Sequence, residues 1–377
     1  MLLETSLLDQ AITWLRKALP ENWKVERSTP QYTRPGRSEP FRPDLMIEIQ
    51  APGGTATFLV EAKESVSPRD AERLLHGVAE TFRLMSETQL LVVSNWLSPR
   101  TRELLREQEV SYMDLTGNVD IRADRPAIFI RNVGSNRNPA PSERELAGLR
   151  GPKAGRLIRM LLDSKPPFGG RGLALATGLT PGYVSRLLSA LEYDALVERS
   201  RTGAVTSVAK SALLRKWVET YEVLKSNEPT RLLAPQGPLE AFERLAALEA
   251  SQAVVVTGSF AVAKEATVAA PAMLMAYVKD PSAVSSALSL LPTRAGANVV
   301  LLRPYDEVVW ERTTKADGVE FVAFSQAAAD LLTGPGRMPE EGEALMQWLD
   351  QDDGVRWTLR TRGEVPIGEK VADNGRG

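Results

Sequence analysis

Residues 175–199 read LATGLTPGYVSRLLSALEYDALVER, and this stretch sets the architecture of the middle of the chain. Gly178 is a residue on which a helix ends. Thr180 can cap the next helix, whose first residue is Pro181. Val184, Leu187, Leu188 and Leu191 then recur at the spacing of one helical face and predict a buried stripe. The opposite face carries Tyr183, Ser185, Arg186 and Ser189. Upstream, KAGRLIRMLLD (153–163) predicts a helix with Leu157, Ile158, Leu161 and Leu162 on one side. SKPPFGGR (164–171) is a connector, and GLALATG (172–178) a short second helix. Downstream, VERSRTGAVTSVA (197–209) predicts a β-hairpin with Thr202-Gly203 at its tip and Arg199 and Arg201 nearby.

Three helices followed by a basic hairpin resemble a winged helix-turn-helix, and 175–199 is similar to the core of many bacterial regulators. Ala195 departs from that pattern, which often ends the recognition helix on Gly. The resemblance implies double-stranded DNA as partner. Thr180, Tyr183, Ser185 and Arg186 would then face the major groove, with Arg199 and Arg201 on the backbone or in the minor groove. The same fold can serve protein contacts alone. Charge favours DNA: residues 135–225 hold 15 Lys/Arg against 8 Asp/Glu, a balance of +7, although the whole chain is at −2.

The 377 residues contain no Cys and one His, His76, which excludes a disulfide scaffold, a thiol nucleophile and a Cys-ligated zinc site. His76 falls in a helix and receives no role. No apolar run reaches the ~20 residues of a membrane helix. The opening MLLETSLLDQAITWLRKAL reads as an amphipathic helix with Glu4 and Asp9 inside it, not as a secretory leader. The expected location is cytoplasmic, with no membrane partner. Two stretches read as linkers: 132–153, and SNEPTRLLAPQGP at 226–238 with three Pro and a Gly. They divide the chain into domains at 1–134, 150–225 and 236–350, followed by a polar tail at 351–377.

The first block alternates helix and strand: WKVERS (23–28), PDLMIEIQ (43–50), TATFLVEAKES (55–65), a helix at 68–85, a strand at 89–97, a helix at 98–109 capped by Ser98, and short final strands. This predicts an α/β domain with a mixed sheet. Leu59, Glu61 and Lys63 share one strand face, and Asp44 on a paired strand could approach Glu61. Two such carboxylates call for a divalent cation between them.

Pro43-Asp44, sixteen further residues and Glu61-Ala62-Lys63 resemble the PD-(D/E)XK, restriction-endonuclease-like superfamily, over about residues 1–130. That resemblance implies Asp44 and Glu61 as metal ligands for Mg²⁺ or Mn²⁺, with Lys63 assisting phosphodiester cleavage. Glu4 is the only counterpart of an acidic residue found on the first helix of some members. The same residues also read as a solvated Glu61–Lys63 pair beside a turn aspartate, and such domains also serve as non-cleaving scaffolds.

The third block predicts a second α/β domain: a helix at 241–250, strands ending at Thr257-Gly258-Ser259, at 271–280 and at 297–306, and helices at 325–334 and 339–350. A strand ending in Gly-Ser resembles the nucleotidyltransferase superfold. The next strand, PAMLMAY, lacks the Asp-x-Asp pair that two-metal transfer needs, so the resemblance is to a degenerate member, and Gly258-Ser259 also reads as a plain turn. The order of blocks, DLTGNVDIR, and SQAAADLL with EGEALMQWL are similar to regulators related to abortive-infection type IV antitoxins. The expectation is therefore a multidomain α/β protein acting as a sequence-specific, homodimeric DNA-binding regulator that needs no cofactor. The alternative is a Mg²⁺-dependent nuclease targeted by the winged helix.

Overall fold

A computed structural model describes residues 2–28, 45–82, 88–140, 149–248, 253–266, 268 and 270–358. They divide into two compact units, one drawn from residues 1–147 and 189–195, the other from 148–188 and 196–377.

The first unit is a seven-stranded sheet whose spatial order is its chain order: β1 (Lys24–Ser28), β2 (Leu45–Ala51), β3 (Gly54–Lys63), β4 (Thr88–Ser94), β5 (Ser111–Asp114), β6 (Val119–Ala123) and β7 (Ile128–Asn132). Strands β1 to β3 run antiparallel, β3 to β5 parallel and β5 to β7 antiparallel. Parallel neighbours require crossovers, and helices α2 (Pro68–Phe82) and α3 (Pro99–Glu107) supply them. Both lie on one face, where Ala71 and Leu105 pack with Leu59, Leu90, Val92 and Tyr112. Helix α1 (Leu2–Ala18) covers the other face, its Leu8, Ala11, Ile12 and Leu15 packing on Phe58, Val60, Leu91 and Ile121. The α3 start agrees with its sequence signature: Thr101 N–H donates to the Ser98 hydroxyl at 3.0 Å, with Pro99 at the first helical position.

The second unit begins with α4 (Gly151–Leu162), α5 (Gly170–Thr177) and the first half of α6 (Pro181–Tyr193), whose residues from Ser189 onward count with the first unit, followed by the hairpin β8 (Val197–Arg199) and β9 (Val205–Val208) and helix α7 (Lys210–Val218). A short helix, α8 (Val223–Ser226), leads into a second seven-stranded sheet. Its strands are β10 (Glu228–Leu233), β11 (Val254–Thr257), β12 (Leu274–Val278), β13 (Leu291–Pro292), β14 (Val299–Arg303), β15 (Thr314–Ala316) and β16 (Val319–Phe321). They lie in the order β13-β10-β14-β12-β11-β16-β15. Helices α9 (Pro238–Leu245), α10 (Pro281–Ala287), α11 (Phe324–Leu332) and α12 (Met338–Leu349) complete the unit.

The stretch expected to be a second linker is not one. Residues 228–233 form β10, paired along its length with β14, and Leu232 is buried. Pro229 within it and Pro235 just after it disguise it. Pro229 pairs with Leu302 of β14, while β13 reaches only Leu232 and Leu233, so the missing N–H of Pro229 falls on the open side of the strand.

Candidate nucleic-acid interface

The 150–218 segment folds around the apolar positions that the sequence marks. Leu157, Ile158, Leu161 and Leu162 of α4, Leu173 and Ala174 of α5, and Val184, Leu187, Leu188 and Leu191 of α6 are all buried. Gly178 closes α5 in the left-handed conformation, at φ 66°, where only glycine sits without strain. Tyr183 N–H donates to the Thr180 hydroxyl at 3.4 Å, the N-terminal cap of α6. Ala195 ends α6 at φ 51°, the position at which the related pattern has Gly. The hairpin gains a third edge from Phe168, whose N–H and C=O exchange hydrogen bonds with Val205 at 2.9 Å each. At the tip, Gly203 (φ 83°) donates to Ser200 C=O, and Ser200 and Thr202 hydroxyls lie 2.8 Å apart.

Thr180, Ser185 and Arg186 are exposed on α6, with Gly182 and Ser189, while Tyr183 is half-buried. Burial pushes the Tyr183 hydroxyl up, against the opposing pull of Arg186. Arg201 is exposed at the hairpin tip and Arg199 half-buried beside it. A Cβ at Gly182 would meet no described atom within 4 Å, so internal packing does not account for that glycine. Arg171 in the first turn of α5 is also exposed, as is Leu175 at 87% on the same helix, and neither is among the residues that the sequence pattern marks. Leu175 interrupts the buried positions Leu173, Ala174 and Thr177 and Arg171 precedes them, and that pattern is the signal the sequence carries.

Much of the basic balance of this segment serves packing. Arg156 grips the Asp306 carboxylate at 2.8 and 3.0 Å. The Arg159 guanidinium is fully buried and donates to Val308 C=O, Glu311 C=O and Asp163. Arg215 forks onto Glu343 at 2.8 and 2.6 Å. Lys210 donates to Leu162 C=O at 2.7 Å and Ser164 C=O at 3.3 Å, and burial pushes its ammonium down to about 8. Arg171, Arg186 and Arg201, by contrast, are exposed and form no ion pair with another described residue.

In the first unit, Glu61 and Lys63 meet at 2.7 Å near the end of β3, the carboxylate mostly buried and the ammonium half-exposed. Asp44 lies outside the described residues; the β2–β3 register begins one residue later, at Leu45 opposite Val60. Among the described residues no group of three or more Asp, Glu, His or Cys gathers as a metal would require, and Glu61 is the described carboxylate of the Asp44–Glu61 pair. The DLTGN turn is a structural device. Buried Asp114 accepts from Leu97 N–H, Thr116 N–H and Asn118 N–H at 2.9–3.0 Å, and from the Asn118 side chain at 2.7 Å.

In the second sheet the expected acids are indeed missing from β12, which reads LMAYV. The buried carboxylate comes from α11 instead. Asp330 accepts from Thr257 and Tyr221 hydroxyls at 2.6 Å, from the Gln326 amide at 2.8 Å and from the Tyr277 hydroxyl at 2.9 Å. Burial raises the Asp330 carboxyl above its ordinary range, and the hydrogen bonds act against that rise. Burial likewise raises Tyr221 and Tyr277. A fully enclosed cluster of this kind organises a core.

The chain is thus a mixed α/β protein with two large sheets and a helical segment that ends in a small hairpin. Residues 207–349 match the family described as transcriptional regulator, AbiEi antitoxin, type IV TA system. The match runs from β9 to the end of α12, so that part of the chain is similar to antitoxin regulators. No curated protein and no solved structure matches the chain. Among the described residues no helix is long and apolar enough to cross a membrane.

Proposed function

We propose that the chain is a transcriptional regulator that binds duplex DNA through α5, α6 and the β8–β9 hairpin, used as a winged helix-turn-helix. The observation that carries this reading is that Arg171, Arg186 and Arg201, on α5, α6 and the hairpin tip, are exposed and in no ion pair with another described residue, whereas Arg156, Arg159 and Arg215 of the same segment are held by carboxylates. Gly182 supports it, because a bare backbone at the start of α6 allows close approach to a groove. Arg186, with Thr180, Tyr183 and Ser185, would read base edges; a bidentate Arg–guanine contact is worth about 1–3 kcal/mol of discrimination. Arg199 and Arg201 would hold the backbone. The similarity of residues 207–349 to antitoxin regulators supports the regulatory role and makes a cognate toxin a candidate for a second partner.

The test selects preferred sites from a randomised duplex pool and then measures affinity for selected and scrambled duplexes across a salt series. Arg186→Ala should weaken binding to the selected duplex and leave the scrambled one nearly unchanged. Equal loss on both would reassign Arg186 to a phosphate contact. The absence of salt-dependent affinity for any duplex would overturn the reading.

The contact between Glu61 and Lys63 on one strand face keeps the nuclease alternative in play. Its test is incubation with duplex, branched and single-stranded DNA in Mg²⁺ or Mn²⁺. Cleavage abolished by Asp44→Ala or Glu61→Ala would establish an enzyme. Specific binding without cleavage would leave the first domain as a scaffold.

A further inference from the structure

The first sheet has two edges, and they are built differently. Strand β1 reads KVERS, with Lys24, Glu26 and Arg27 exposed and Arg27 paired to Asp9. A row of alternating charges is a common protection against unwanted strand pairing. Strand β7 reads IFIRN, carries Phe129 at 68% exposure, and runs on into the exposed Val133. No described strand pairs with its outer side. An uncovered aromatic strand of high β-propensity is a pairing surface, and the remaining question is what pairs with it.

The geometry points to a second copy of this chain: we propose that β7 pairs antiparallel with β7 of another protomer, about a two-fold axis at Ile130. The first argument is hydrogen-bond parity. Arg122 N–H donates to the Ser111 hydroxyl, towards β5, so Arg122 and its β7 partner Phe129 form a non-hydrogen-bonded pair. The main-chain groups of Phe129 and Arg131 therefore point to the open side. Antiparallel pairing centred on Ile130 sets Phe129 of each copy opposite Arg131 of the other, and these are the residues whose N–H and C=O are free to exchange bonds. The second argument is chemical complementarity. Arg122 and Arg131 already flank the Phe129 ring, with guanidinium carbons 5.7 and 5.5 Å from its centre. Asp120 holds both guanidinium groups at 2.7 Å. The seam repeats this cation–aromatic contact between copies and covers the phenyl ring from both strands. It depends on the first unit alone and stands independently of the DNA-binding reading.

Because the chain contains no Cys, single-cysteine variants of the full chain report cleanly. Ile130→Cys lies on the axis and is expected to give a disulfide-linked dimer under mild oxidation, whereas Arg27→Cys on β1 stays monomeric. In sedimentation equilibrium the unmodified chain is expected to be a dimer. Phe129→Lys, which sets a cation against Arg131 of the second copy as well as against Arg122 and Arg131 of its own, should weaken that dimer about tenfold or more while the circular-dichroism spectrum stays that of the parent, which separates a lost seam from a lost fold. A monomeric chain at its highest soluble concentration would overturn the proposal and leave β7 to a different partner. A dimer unaffected by Phe129→Lys would overturn it equally, by placing the interface elsewhere.

Discussion

Two sets of arginines in one segment, residues 156–215, behave in opposite ways. Arg156, Arg159 and Arg215 turn towards the second sheet and its helices and are satisfied there by carboxylates and carbonyls. Arg171, Arg186 and Arg201 are spread over α5, α6 and the hairpin tip and stay exposed without an ion pair to another described residue. The difference teaches that a basic balance is not itself a binding surface; only the uncommitted part can neutralise phosphate. It also separates two observables: one set should report on stability, the other on DNA affinity.

The sharpest test of that separation is Arg159→Met. It removes a buried guanidinium that serves Val308, Glu311 and Asp163; Asp163 keeps Arg312 and Val308 C=O keeps the Glu311 N–H, so the expected loss is about 2–3 kcal/mol. Urea unfolding followed by circular dichroism would measure it. A loss below about 1 kcal/mol would mean that Arg159 is not the lock described here.

Arg186→Ala should do the reverse: a melting temperature within a degree or two of the parent, and about 1–3 kcal/mol less affinity for the selected duplex. Arg201→Ala should reduce the salt slope by about 1 while weakening all sequences alike. A variant from the unpaired set that destabilises the fold, or one from the paired set that changes only DNA affinity, would break the comparison.

How far the sequence carried this contrast is instructive. The apolar stripe of α6, the Thr180 cap, the Gly178 stop and the hairpin tip were legible because each rests on local chemistry: spacing, caps and turn residues. The fate of an arginine is not local. Arg159 sits between Ile158 and Met160 in a helix, and its acceptors at Val308 and Glu311 lie about 150 positions away. Strand β10 is hidden for a related reason: Pro229 within it and Pro235 just after it announce a loop unless one knows which strand edge stays unpaired. Asp330 looked like a polar residue in an alanine-rich helix, and only the tertiary fold surrounds it with Tyr221, Thr257, Tyr277 and Gln326. The Asp44 half of the nuclease constellation falls outside the described residues, so the metal-site expectation rests on sequence alone.

Asp330 extends the contrast to pH. Its carboxyl is raised in the folded state, chiefly by burial. A raised carboxyl favours folding at low pH, and that contribution is lost as pH rises from about 4, the ordinary carboxylate value, through the folded-state value. Asp330→Asn cannot ionise. The melting temperature of Asp330→Asn minus that of the parent should therefore become more positive from about pH 4 to pH 8. A difference that stays flat or falls would show that the four donors hold the ionised form as readily as water does.

The smallest expected effect lies at the end of α6. Ala195 sits at φ 51°, where a Cβ crowds the neighbouring carbonyl and an alanine costs about 1 kcal/mol relative to glycine. Ala195→Gly should raise stability by up to about that amount, less the small loss of the methyl group, which is buried. It should leave the affinity for selected DNA unchanged, because Arg186 and Thr180 lie more than two turns of α6 away. A gain in stability coupled to a loss of affinity would mean that the strained Ala195 sets the angle at which α6 meets the groove, and would join the packing role and the binding role that the arginines keep apart.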